Sequence, residues 1–126
     1  MNLKQEAEQF LKEKYDMVDF NSYQRSAVTT AIYPDQHKIT YPALGMAGEA
    51  GEVANKVKKL IRDNKSLDMP DDVRNELILE LGDVLWYVAN LAYELNATLE
   101  EVAVGNIQKL ESRKVRGVLS GSGDNR

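Results

Sequence analysis

Glu49 and Glu52 stand three residues apart, and so do Glu80 and Asp83. Positions i and i+3 share a helix face, so each pair can aim two carboxylates at one point. Four such groups from two facing helices would make a cage of hard oxygen ligands, the kind that magnesium and manganese prefer. Acids at this spacing also line ordinary solvated helix faces, and spacing alone does not separate the two cases.

The neighbours of the second pair are more informative. At ~100° per residue, Glu76, Asp83, Tyr87, Asn90 and Glu94 fall on one side of Glu80 in a single polar stripe. Val73, Leu77, Leu81, Val84, Val88, Leu91 and Leu95 flank one edge of it, and Leu79, Trp86 and Tyr93 flank the other. A stripe with apolar side chains on both edges is expected to be enclosed, within a bundle or at a subunit contact. Enclosed carboxylates must be paired, protonated or metal-bound. The stripe holds no lysine or arginine, so its cation must come from elsewhere, and a divalent metal satisfies that need. On the first acidic segment, Lys56 and Lys59 follow Glu49 and Glu52 by seven residues each. That order suits a metal site running into a phosphate site, and equally suits a simple Glu52–Lys56 pair at i, i+4. Gly45, Gly48 and Gly51, with Gly82 between Glu80 and Asp83, are unfavourable in helices by up to ~1 kcal/mol each. They point to close approach of another helix or a ligand.

Helices must carry these groups. The pattern predicts a first helix over Leu3–Tyr15 with Asn2 as N-cap, a polar break over Asp16–Asn21, and a second helix over Ser22–Tyr33. A loop held between Pro34 and Pro42 follows and contains the sole histidine, His37, as an exposed bystander. Met46, Ala50, Val53, Val57, Leu60 and Ile61 recur at helical spacing and predict a third helix over Ala43–Arg62. Asp63–Pro70 is a polar connection, and Asp68 or Asp71 is expected to cap a fourth helix running to about Leu95. Thr98 and Glu101 form a capping box for a fifth, ending near Arg116 with Gly117 as its C-cap. The fold class is therefore all-α: a bundle of about four to five helices in one domain, residues 1–117, with a flexible tail over 118–126.

The bulk numbers exclude several classes. The 126 residues carry 20 acidic and 16 basic side chains, a net charge of -4, which argues against a dedicated nucleic-acid binder. There is no cysteine, hence no disulfide, zinc-thiolate or cysteine nucleophile. No stretch approaches a membrane span, Met1–Phe10 does not read as a signal peptide, and a cytoplasmic location is expected. Small helical chains often complete their core by homo-oligomerisation.

Gly48-Glu49-Ala50-Gly51-Glu52-Val53, followed by Glu80-Leu81-Gly82-Asp83-Val84-Leu85, resembles the MazG-like, all-α NTP pyrophosphatase superfamily, whose hallmark is Glu-x-x-Glu, a spacer, then Glu-x-x-Asp. Here the spacer is residues 53–79, and Asn106-x-x-Lys109-x-x-x-Arg113 resembles the family's downstream element. The resemblance implies hydrolysis of an NTP or dNTP between the α- and β-phosphates, releasing pyrophosphate. It implies that Glu49, Glu52, Glu80 and Asp83 are the catalytic carboxylates and hold magnesium, with manganese as a substitute. It implies nucleotide contact by Tyr87, sugar and phosphate contact by Asn106, Lys109 and Arg113, and assembly as homodimers or homotetramers. Lys59, Lys109 and Arg113 are expected to stabilise phosphate charge, and Glu49 or Glu52 to orient the attacking water. Trp86 and Tyr93 read mainly as core or interface, with Tyr23 and Gln24 near a base pocket. No Gly-x-x-x-x-Gly-Lys loop is present, so this is no P-loop enzyme. The rival readings are a phosphoribosyl-ATP pyrophosphohydrolase-type enzyme on the same fold, a non-enzymatic helical interaction module, and a di-iron bundle, which would want Glu-x-x-His on its helices.

Overall fold

The computed structural model describes residues 2–16, 18–64 and 68–126. Among them the chain is all-helical, with α1 at Leu3–Lys14, α2 at Phe20–Val28, α3 at Thr40–Asn64, α4 at Asp71–Glu94 and α5 at Leu99–Arg116, plus a 3-10 turn at Asp35–His37. The expected break after α1 and the connection after Asp63 fall partly outside the described residues, at 17 and 65–67.

Local chemistry explains most boundaries. Asn2 and Gln5 close a reciprocal capping box on α1, and Asp19 and Ser22 do the same on α2. The second helix is shorter than its periodicity predicts. Thr29 and Thr30 turn their hydroxyls back onto the carbonyls of Ser26 and Ala27, an alternative to helical bonding that β-branched hydroxyl residues favour. Helix α3 begins earlier than predicted because Pro42 sits in its first turn, where no intrahelical N–H is required. The expected aspartate cap on α4 is absent: its N-cap is Pro70, without a side-chain bond. Asn96 takes a left-handed conformation at φ 58°, and Ala97 N–H reaches the Ala92 carbonyl, closing α4 in a Schellman turn.

Helix α4 packs along α3, is crossed by α2, and meets α5, which also leans on α2. The small core is Ala27, Ala89 and Leu99, with Tyr23, Trp86 and Val88 packed against it. Alanines at the α2–α4 crossing let the backbones approach. Gln24, buried there, donates to the carbonyls of Ala89 and Ala97 at 3.1 and 3.0 Å and accepts from Leu99 N–H at 3.1 Å. Asn21 accepts from Glu100 N–H, while Thr98 and Glu101 exchange their own bonds. The orphan amides of the first turn of α5 are thus all satisfied by side chains. Gln24 was expected near a base pocket; its amide is instead committed to this junction.

On α4, α2 covers the face holding Ala89 and Ala92. The same face one helix-half earlier, at Ile78, Leu81 and Leu85, stays exposed, and on α5 so do Val104, Ile107 and Leu110. Among the described residues, no helix is long and apolar enough to cross a membrane.

Candidate active site

The α3–α4 pairing brings three of the four expected carboxylates together. One oxygen each from Glu49, Glu80 and Asp83 lies within 4.8 Å of the others. Glu49 and Glu80 are half-buried and Asp83 is exposed. Glu52, one turn along α3, is exposed and outside this converging group. Its charge still reaches Glu49, whose carboxyl is pushed up first by desolvation, then by a hydrogen bond with Glu80 and by the charges of Asp83, Glu80 and Glu52. Acids crowded so that one resists ionisation fit a divalent cation, which would relieve both the repulsion and the desolvation cost.

The expected enclosure is partial. Leu79 and Leu81 beside the stripe are 70% and 55% exposed in the single chain. The stripe's missing cation is supplied in part by α3: Lys56 Nζ lies 3.3 Å from Glu76 and 3.7 Å from Glu80. Lys56 therefore pairs across the helices, rather than along α3 with Glu52. Lys59 joins Lys56, Leu60, Asp63, Val73 and Glu76 around a shallow cavity of about 220 Å³.

On the other side of the carboxylates stands an aromatic row. The Tyr87 ring occupies the space a Cβ on Gly45 would need. It meets Trp86 edge-on at 5.0 Å and Tyr41 at 6.4 Å, and Tyr41 stacks on Tyr33 at 5.4 Å. The Tyr87 hydroxyl is pushed up by burial and then by Tyr41, Glu49 and Asp83, so it feels the acidic cluster directly. Tyr33 donates to Glu94 at 2.8 Å and, more weakly, to Asn90 at 3.4 Å, which fixes its ring. Tyr33 and Tyr41 were missed in the sequence, although Tyr41, Gly45 and Glu49 stand four residues apart on one helix. Gly48, Gly51 and Gly82 show no neighbour within 4 Å of an added Cβ, so within one chain only Gly45 accounts for a close approach here. Trp86 packs on the core and donates to Thr30, Tyr93 is half exposed, and His37 is exposed in the 3-10 turn.

Asn106, Lys109 and Arg113 lie on α5, and no hydrogen bond or ion pair among the described residues links them to the carboxylates. Asn106 is exposed. Lys109 and Arg113 both contact Asp124 of the C-terminal segment.

Acids gathered from two helices beside a row of tyrosines make a candidate divalent-metal site in an all-helical protein. A family model described as the MazG nucleotide pyrophosphohydrolase domain matches residues 37–117, and the chain belongs to that family. Membership supports nucleotide pyrophosphohydrolase activity in general. The chain is also 49% identical over 110 residues to the gene 37 protein of Mycobacterium phage L5, spanning 82% of this chain and 96% of that relative, whose name states no activity. No solved structure matches the chain.

Proposed function

We propose that the protein hydrolyses nucleoside triphosphates, ribo or deoxy, to the monophosphate and pyrophosphate, for control or cleansing of the nucleotide pool. The observation that supports this is the convergence of Glu49, Glu80 and Asp83 between two unlike surroundings. Tyr87, Tyr41 and Tyr33 offer flat rings to a nucleoside on one side, and Lys56 and Lys59 offer positive charge to a departing pyrophosphate on the other. A bond broken between them is the α–β anhydride.

Magnesium, or manganese in its place, would be held by Glu49, Glu80 and Asp83 with Glu52 adjoining, and supplies charge neutralisation and a more acidic water. Glu52 or Glu49 takes the proton as water oxygen bonds to the α-phosphorus. The bond from that phosphorus to the bridging oxygen breaks, and its electron pair leaves on pyrophosphate. Lys59 steadies that charge, and Lys109 and Arg113, one turn apart on α5, are assigned to phosphates with Asn106 at the sugar. The exposed halves of α4 and α5 suit a second copy of the chain, giving a homodimer or homotetramer.

The test is a panel of canonical and modified NTPs and dNTPs with magnesium and a pyrophosphate-specific readout. Pyrophosphate is expected from at least one; steady release of orthophosphate alone contradicts the proposal.

A further inference from the structure

Arg113 is 5% exposed, and its Nε has no hydrogen-bond partner. Its Nη2 donates at 3.2 Å to the Gly123 carbonyl and at 3.2 Å to Asp124 Oδ1. The same aspartate oxygen lies 3.2 Å from Lys109 Nζ. A buried guanidinium offers five N–H groups in a fork matched to carboxylate or phosphate oxygens. Here a single carboxylate oxygen and one carbonyl serve it, and one buried donor is left over.

The segment bringing Asp124 there is held by Arg126. Arg126 donates to the carbonyls of Val118, Gly123 and Leu119 at 2.9, 2.7 and 3.3 Å, and Arg116 donates to the Arg126 carbonyl at 2.7 Å. Gly123 turns the chain at φ 79°. Asp124 itself is 83% exposed, so water can replace what it loses on leaving. Its carboxyl is held below its usual range by hydrogen bonds from Lys109 and Arg113, as befits an anion seated on two cations.

We propose that residues 118–126 form a built-in competitor, with Asp124 occupying the anion seat of Lys109 and Arg113 that a phosphate group of the ligand must take over. This rests on the assignment of those two residues to phosphates. A phosphoryl group presents more acceptor oxygens than the single one Asp124 applies, and so reaches the donor that the aspartate leaves unserved. The tail thereby raises the ligand concentration needed to fill the seat, without blocking it.

Calorimetric titration of the full chain with inorganic pyrophosphate, metal-free, tests this. Asp124→Asn keeps the shape and removes the charge; it should bind about 5-fold more tightly, the scale of taking an exposed carboxylate out of its ion pairs with Lys109 and Arg113. Lys109→Ala should bind more weakly than wild type, and adding Asp124→Asn to it should recover little. If Asp124→Asn matches wild type while Lys109→Ala is weakened, the competitor is refuted and the phosphate seat stands. If pyrophosphate binds none of these proteins, or Lys109→Ala binds like wild type, the seat itself is refuted and the competitor with it.

Discussion

The ring of Tyr87 on α4 lies flush against Gly45 on α3, in the volume any larger residue would fill. Gly45→Ala should therefore overpack this contact at a cost of about 1–3 kcal/mol, against a helix-propensity gain of up to ~1 kcal/mol. Gly48→Ala, with open space around it, should gain without the cost. Urea unfolding of both variants should move the two midpoints in opposite directions. A destabilised Gly48→Ala would mean that another copy or a ligand presses there.

Asp83→Asn and Glu49→Gln should each lower pyrophosphate release by at least about 100-fold, the upper end of what losing an outer partner of a metal ligand costs. Helix content by circular dichroism should be nearly unchanged, since both side chains sit at the solvent margin of α3 and α4. Magnesium should raise the melting temperature of wild type and not of these variants. An equal magnesium shift in all three proteins would remove the residues from the metal site.

Glu49 has its carboxyl raised, by desolvation first. A group whose folded value exceeds its unfolded one favours the folded state at low pH, and that advantage is lost as pH rises through the folded value. Metal-free wild type should therefore gain stability relative to Glu49→Gln as pH falls from neutrality toward the ordinary glutamate range. Magnesium should abolish the difference in slope, because metal and proton compete for the same oxygens. Parallel melting-temperature curves in metal-free buffer would contradict this.

Gln24→Ala should destabilise by about 3 kcal/mol, because Leu99 N–H would lose its acceptor inside the protein. Gln24→Glu retains the acceptor but cannot donate to the carbonyls of Ala89 and Ala97, so it should also destabilise. Denaturant unfolding checks both; a loss below 0.5 kcal/mol, typical of an exposed surface change, would show that the junction holds without them.

What could be read beforehand was what depends on near neighbours in the chain. The Glu80 and Asp83 spacing, the Thr98–Glu101 box and the Gly117 cap are local, and they stand in the structure as read. The early end of α2 was hidden because hydroxyl back-bonding at Thr29 and Thr30 competes with a pattern that otherwise continues. The role of Gln24 was hidden because its partners lie 65 to 75 residues away. Spacing shows that Glu52 shares the α3 face with Glu49, but not which acids of that face come closest to α4: the oxygens of Glu49, Glu80 and Asp83 converge, and Glu52 adjoins them through its charge on Glu49.

The stretch matched by the family begins at residue 37, yet the side chains that seal the start of α5 come from Asn21 and Gln24. A fragment trimmed to the matched stretch would leave Leu99 and Glu100 with bare amides and strip Ala27 from against Ala89. Anyone shortening this protein for expression should keep α2, since a segment outside the matched family stretch acts as the hasp on the final helix.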